Sequence, residues 1–150
     1  MSTIIACSTG HTTNSAIAVI RISGKNYFDS INKFFSINLS KLKPRYAYFC
    51  KIIENSEVVD EIVLTFFKGP HSYNGEDILE LSVHGNKLNI KRIIDLLSSN
   101  TGIRIAKPGE FSLRALNNKK LTLSEVEGLD LLLNANTIFS LKQGFSLLSG

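Results

Sequence analysis

Two charged residues lie inside segments that otherwise have the pattern of buried strands. Arg21 interrupts the nearly continuous apolar, β-branched run 16–23, and Glu80 lies in the alternating run 78–84. A buried charge is costly unless it is paired, so each residue needs a partner. A carboxylate can accept the N–H groups of a ligand, and a guanidinium can bind an anionic group. The residues alone leave two readings open, an ion pair between Arg21 and Glu80 or contact with a ligand, and they favour the ion pair.

Further carboxylates lie beside glycines in the segments 72–77 and 108–112, which we predict as loops. Glu76, Asp77 and Glu110 could bind an amine or amidine edge of a ligand. They could equally cap helices or accept loop N–H groups, and this second role is favoured.

The histidines do not form a metal site by their spacing. His11, His71 and His84 are far apart, and His84 stands between a predicted strand and a predicted helix, where a turn hydrogen bond suffices. These 150 residues contain no Gly-x4-Gly-Lys-Ser/Thr phosphate loop and no Gly-x-Gly-x-x-Gly fingerprint. We therefore expect no nucleotide site of either kind, and no aromatic-rich RNA-binding signature is present.

Composition is that of a globular domain with a weak preference for anionic partners. Apolar residues make up 43% and charged residues 20%, the net charge is +4, and the isoelectric point is about 9.1. The basic balance suits a nucleic acid, a phosphate ester or a carboxylated small molecule. The tightest basic cluster, Lys41, Lys43 and Arg45, is more typical of a solvated loop. Without a signal peptide or a membrane-length apolar run, we expect a cytoplasmic protein.

The elements that must position these residues follow from hydrophobic periodicity. Strands are predicted at 3–8, 16–23, 45–53, 58–67, 78–84 and 103–106, and helices at 25–35, 86–99 and from 122 to the end. Strand 16–23 is expected to be covered on both faces. Gly102 is expected to cap the second helix, and Thr122 with Glu125 forms a capping box flanked by a Leu121–Val126 staple. This order predicts an α+β fold, a mixed sheet with packed helices.

Several uncommon motifs recur in a specific order along the chain. They are 19–24, 44–47, 60–61, 69–77, 80–81, 84–85, 104–112, 114–115, 118 and 120–121. In order and spacing they resemble the N-terminal domain of the MnmE/TrmE family of tRNA-modifying GTPases, over essentially all 150 residues. The resemblance implies a folate-binding and dimerisation domain at 1–118 and the first helix of a helical domain at 119–150.

The family resemblance also implies function and partners. Its N-terminal domain is similar to the folate-binding part of the glycine-cleavage aminomethyltransferase, binds a tetrahydrofolate one-carbon derivative such as 5-formyltetrahydrofolate, and forms a homodimer. The full-length family protein adds a GTPase that uses GTP with Mg and K. It works with the flavoprotein MnmG (GidA) on the wobble uridine of tRNA. We expect this chain to be a fragment without the GTPase domain that is not catalytic alone.

Carried over by position, the family's folate contacts fall on Arg21, Glu80 and Lys120. Glu80 would accept the N–H and NH2 groups along one edge of a reduced pterin, and Arg21 or Lys120 would bind the anionic glutamate tail. The resemblance makes ligand contact the favoured reading for Arg21 and Glu80.

The chain departs from the family pattern in three places. Segment 9–15 has a single glycine where the family is glycine-rich, Asn86 replaces the second glycine of His-Gly-Gly, and Asn74 replaces a threonine. Two alternatives stay open. One is a stand-alone folate-dependent transferase with His84 or Glu110 as its base, and the other is a dimer scaffold that has lost folate binding.

Overall fold

The computed structural model describes residues 2–9, 16–125, 128, 142–144 and 146–147. The chain is divided into two compact units. The first contains the described residues up to 72 together with 76–107, and the second contains 73–75 with the described residues from 108 onward. Segment 10–15, with its reduced glycine content, lies outside the described residues.

The first unit is built on a six-stranded mixed sheet with strand order β3-β4-β5-β2-β1-β6. β1 and β6 are parallel, and the other neighbours are antiparallel. The strands are β1 (Thr3–Cys7), β2 (Ile17–Gly24), β3 (Ala47–Glu54), β4 (Glu57–Phe67), β5 (Asp77–His84) and β6 (Ile103–Ile105). With the helices described below, this arrangement confirms the predicted α+β class.

The core lies between one face of this sheet and the helix α2 (Lys87–Ser98). Its apolar stripe at helical spacing is buried, as periodicity predicts, and comprises Ile90, Ile93, Ile94, Leu96 and Leu97. Asn86 caps its start by accepting the N–H of Leu88 at 2.9 Å. The prediction of Gly102 as the cap at its end is wrong. The chain leaves the helix at Ser99, and Asn100 adopts the left-handed conformation next.

Strand β2 is buried on one face only, so the prediction of cover on both faces is wrong. Ala18, Ile20 and Ile22 are fully buried, whereas Val19 is half-buried and Ile17 is 63% exposed. The run of apolar residues therefore reflects the central position of β2 in the sheet more than burial on both faces. We call the side of the sheet that faces away from the core the second face. It carries Ile17, Val19 and Arg21 of β2, Phe49 of β3, Val63 and Thr65 of β4, and Glu80, Ser82 and His84 of β5.

The helix predicted at 25–35 is much shorter in the structure. Asn26 has a positive φ of 54°, so α1 spans only Phe28–Ile31 and is followed by a 3-10 turn, Asn32–Phe34. The Asn32 side chain accepts the N–H of Leu39 at 2.8 Å, at the start of a second 3-10 turn, Leu39–Lys41. Side-chain hydrogen bonds to the backbone compete with helix propagation, which the apolar spacing alone does not reveal.

The β3–β4 hairpin turns through Asn55 and Ser56, with φ of 51° and 66°. Both values belong to the left-handed region that a two-residue hairpin loop requires, and serine is strained there.

Ser56→Gly is therefore expected to stabilise the protein by about 0.5–1 kcal/mol, because glycine adopts this conformation without strain. Chemical denaturation measures the difference. The matched control is Ser99→Gly, since Ser99 has an ordinary φ of −89°. Only backbone flexibility is added there, so that variant should lose stability; a gain in both variants would exclude the turn as the cause.

The second unit contains a helix where the sequence analysis placed a loop. Gly109 takes φ 75°, and α3 (Glu110–Asn117) begins directly after it. The Asn118 amide donates to the Asn74 carbonyl at 2.7 Å, and the Tyr73 and Ser112 hydroxyls are 3.1 Å apart. The short segment 73–75 is thereby tied to α3 and to the residue after it.

The predicted capping box is confirmed at the start of the last segment. The Thr122 hydroxyl accepts the Glu125 N–H at 3.2 Å, and the Glu125 carboxylate accepts the Thr122 N–H at 3.1 Å. Val126, and with it the predicted staple, lies outside the described residues. The boundary at 118/119 stays a prediction. Over the part of the chain that the structure describes, no helix combines the length and apolarity needed to cross a membrane.

Candidate functional site

Arg21 and Glu80 face each other across the two central strands. They are register partners on β2 and β5, and Arg21 Nε donates to Glu80 Oε2 at 3.1 Å. Their side chains are 31% and 26% exposed, so the ion pair lies at the surface of the second face rather than in a closed interior. The structure thus forms the pair that the residues alone favoured, while leaving both groups open to solvent.

The neighbours of this pair are small. Thr65 of β4 is the register partner of Glu80, and Ala6 of β1 is the register partner of Arg21. Side chains of this size rise little above the sheet, so the carboxylate and the guanidinium form a polar platform on two strands, flanked by a small side chain on each side. A platform of this kind can accept N–H groups and bind an anionic group side by side.

A second polar cluster, which the sequence analysis missed, is centred on Asp60 of β4. Asp60 is 7% exposed and accepts the backbone N–H of His84 at 2.9 Å and the Asn89 amide at 2.8 Å. It also accepts the Glu61 N–H at 2.9 Å and hydrogen-bonds the His84 ring through Nδ1. The signal in the sequence was an aspartate at an inward-facing strand position.

The environment of Asp60 favours its charged form. Burial by itself would raise the pKa of this carboxyl group. The hydrogen bonds from the His84 backbone, the Asn89 amide and the His84 ring outweigh burial and hold the pKa below the usual 3.8. Asp60 is therefore an anion at neutral pH, and it joins β4, β5 and α2 at one end of the sheet.

Each loop carboxylate bonds to another group of the protein, and Asp77 alone has the loop N–H role that the sequence favoured. Glu76 accepts the Ser23 hydroxyl at 2.7 Å, and Asp77 accepts the Gly69 N–H at 2.9 Å. Glu110 lies 3.2 Å from Arg114 Nη2 on the next turn of α3, and the Arg114 side chain is 2% exposed. Among the described residues, no group of three or more acidic, histidine or cysteine side chains is arranged to hold a metal ion.

The order of the sequence motifs and the observed fold both indicate one known family. The family model described as the N-terminus of the GTP-binding protein TrmE matches residues 3–120. The chain belongs to this family. Its strands β1 to β6 and helix α3 all lie within the TrmE N-terminal match, and so do Arg21, Glu80 and Lys120.

Relatives of known name agree with the TrmE assignment. The chain is 43% identical over 137 residues to the tRNA modification GTPase MnmE of Aquifex aeolicus, covering 91% of this chain and 30% of that protein. It is 42% identical over 149 residues to MnmE of Endomicrobium trichonymphae, covering 99% and 32%. It is 39% identical over 148 residues to MnmE of Francisella tularensis subsp. holarctica, again covering 99% and 32%. The chain spans about a third of the length of these relatives.

Two of the three predicted TrmE site residues are brought together, and the third belongs to the second unit. Arg21 and Glu80 form the ion pair of the first unit. Lys120 follows α3 in the second unit, where it is exposed and its backbone N–H donates to the Ala115 carbonyl at 2.8 Å. The grouping of Lys120 with the pair stays a prediction.

Proposed function

We propose that this chain is the module of a tRNA-modifying enzyme that binds a tetrahydrofolate one-carbon derivative and forms a homodimer. The observation that carries the proposal is the Arg21–Glu80 pair, a charged platform left half-open on the second face of a TrmE-family fold. This partial exposure gives a ligand access to both charged groups. The closest chemical fit is 5-formyltetrahydrofolate, which combines a hydrogen-bonding pterin edge with an anionic tail.

The charged platform can contact both the pterin and the anionic tail of such a ligand. Glu80 can accept the adjacent N–H and NH2 groups of the pterin, since a carboxylate offers two oxygens to parallel donors. A guanidinium carries several N–H donors, so Arg21 can hold Glu80 and a ligand carboxylate together. Lys120 is the second candidate for the anionic tail, and which cation takes it is open.

The module acts within a larger assembly in this proposal. The relatives that the chain matches are named tRNA modification GTPases and are about three times as long. We propose that GTP, with Mg and K, is handled by the GTPase domain of the longer protein. A flavoprotein of the MnmG (GidA) type and tRNA in the cytoplasm complete modification of the wobble uridine. The chain alone binds and dimerises without turnover.

Titration with 5-formyltetrahydrofolate tests the site. Arg21→Ala and Glu80→Ala are each expected to weaken binding roughly 10- to 100-fold, the range for losing a charged hydrogen bond. The matched controls are Lys91→Ala and Asp95→Ala, which remove an exposed ion pair on α2 with a separation of 2.8 Å. Unchanged affinity in both site variants, measured by calorimetry, would refute the assignment.

The two alternative functions, a dimer scaffold and a stand-alone transferase, predict different results for the same purified chain. A dimer by light scattering with no folate binding identifies the scaffold. One-carbon transfer by the purified chain without partners identifies a stand-alone transferase. For that reaction His84 is the better placed base, because Glu110 is engaged with Arg114.

A further inference from the structure

The buried carboxylate of Asp60 orients the ring of His84. An ionised carboxylate only accepts hydrogen bonds, so the ring nitrogen that contacts Asp60, Nδ1, must carry the proton. In the neutral imidazole the other nitrogen, Nε2, is then an acceptor. The backbone N–H of His84 is bound to the same carboxylate at 2.9 Å, and the Asn89 amide donates to both Asp60 and the His84 carbonyl. One hydrogen bond thereby holds the ring, and two more hold the His84 backbone.

The acceptor nitrogen belongs to a ring that is open to solvent. The His84 side chain is 74% exposed although Asp60 is buried. Within the described part of the chain, the hydrogen bonds of His84 involve Nδ1 and its backbone groups. This exposure leaves Nε2 accessible to a ligand.

A shallow groove on the second face begins at this ring. It has a volume of about 160 Å³, and its lining includes Ile17, Phe49, Glu61, Ser82 and His84. Two large apolar side chains of this lining are strongly exposed, Ile17 at 63% and Phe49 at 77%. An exposed ring and an exposed aliphatic chain beside a fixed acceptor are the contacts that a planar heterocycle uses, by stacking and by one directed hydrogen bond.

The groove is separate from the charged platform but shares its face. Glu80 and His84 lie on the same side of β5, four residues apart, which is roughly 13 Å along a strand. Two ligands of heterocycle size could therefore lie on the second face at the same time, one at each end.

We propose that the groove beside His84 binds a planar heterocycle with a ring N–H, and that His84 Nε2 accepts this N–H. The shared chemistry is a cyclic amide N–H beside a ring carbonyl group, present in a uracil base and in a pterin. The choice of these two sources rests on the proposed function; the site itself rests on the geometry of Asp60, His84 and the groove. Asp60 acts as a positioning residue, since it contacts the ring and not the ligand.

The wild-type chain gives the first test, with uridine and 3-methyluridine as paired probes. The two nucleosides differ in the N–H that His84 would accept. At pH about 8, where imidazole is ordinarily neutral, nitrogen NMR should report a protonated Nδ1 and an unprotonated Nε2. Uridine should shift the His84 ring signals and bind roughly 3- to 10-fold more tightly than 3-methyluridine, the range for one neutral hydrogen bond.

Two substitutions separate ligand contact from a structural role. Asn in His84→Asn can still donate to Asp60 from the Nδ1 position but has no atom at Nε2. It should fold with an unchanged unfolding midpoint and lose the preference for uridine. His71→Asn, at an exposed histidine outside the groove lining, is the control and should keep that preference.

Each outcome decides the proposal. Equal binding of the two nucleosides, or no effect of His84→Asn on the preference, overturns it for uracil. If uridine does not bind and 5-formyltetrahydrofolate binding depends on His84, the heterocycle is the pterin, and Glu80 does not bind its N–H edge. If neither ligand depends on His84, the site does not exist. If His84→Asn does not fold, the paired nucleosides on the wild-type chain still decide. Arg21→Ala should weaken folate but not uridine binding, so failure of the platform and failure of the groove are distinguishable.

Discussion

Gly24→Ala is expected to cost about 3 kcal/mol of folding stability, because the added methyl group has no space. A Cβ at this position would lie 2.3 Å from Thr3 Oγ1 and 2.7 Å from Thr3 Cα. The second atom belongs to the backbone of β1, which is hydrogen-bonded on both sides, to β2 and to β6. Relief would require β1 to move away from β2. Denaturant unfolding of the purified variant measures the loss.

The control for this prediction is Gly102→Ala. Gly102 has a φ of 78°, and an added Cβ there meets nothing within 4 Å. This variant should lose only the backbone strain of a left-handed alanine, about 1 kcal/mol. If the two variants are equally stable, close approach of the strands is not what requires glycine at position 24.

Asp60→Ala is expected to cost about 3 kcal/mol, because it removes the shared acceptor of the Asp60 cluster and leaves several donors without a partner. The donors are the backbone N–H groups of Glu61 and His84, the Asn89 amide and the His84 ring. They come from β4, β5 and the start of α2, so the loss should loosen that end of the sheet. Hydrogen exchange should show faster exchange at His84 and Asn89 than in the wild-type protein.

The same carboxylate should make stability depend on acid. The folded-state pKa of Asp60 lies below its usual 3.8, so the unfolded chain binds a proton more readily than the folded chain. This stabilisation is complete above the unfolded-state pKa, about 3.9, and is lost as the pH falls through the lower folded-state value. Asp60→Asn should therefore unfold with a weaker dependence on pH below about 4.

The predicted strands and the second helix could be derived from the sequence because each depends on local periodicity. The alternation of Leu79, Leu81 and Val83 correctly gave the buried face of β5, and the predicted helix 86–99 agrees closely with α2. The first helix was predicted too long because apolar spacing does not report the positive φ of Asn26 or the side-chain hydrogen bond of Asn32. Helix α3 was missed because a Pro-Gly pair is typical of a loop, although Gly109 here leads directly into a helix.

Only one of the two polar clusters of the candidate site could be predicted, because local sequence patterns do not report contacts between strands. Arg21 and Glu80 stood out because a charge is rare within an apolar strand, and the fold placed them opposite each other. The Asp60–His84 cluster did not stand out, since each residue is ordinary beside its sequence neighbours. Their hydrogen bond depends on the pairing of β4 with β5, which brings together two residues 24 positions apart in the sequence.

By itself the sequence determined the class of fold, the family and the two charges of the platform, because these depend on residue type and on spacing along the chain. Only the tertiary structure decided that the platform is half-exposed, that Asp60 orients His84, and that a groove lies beside that ring. Exposure and hydrogen bonding between strands depend on which residues neighbour one another across the sheet. Strand order and register set these neighbours, and no local pattern in the sequence contains them.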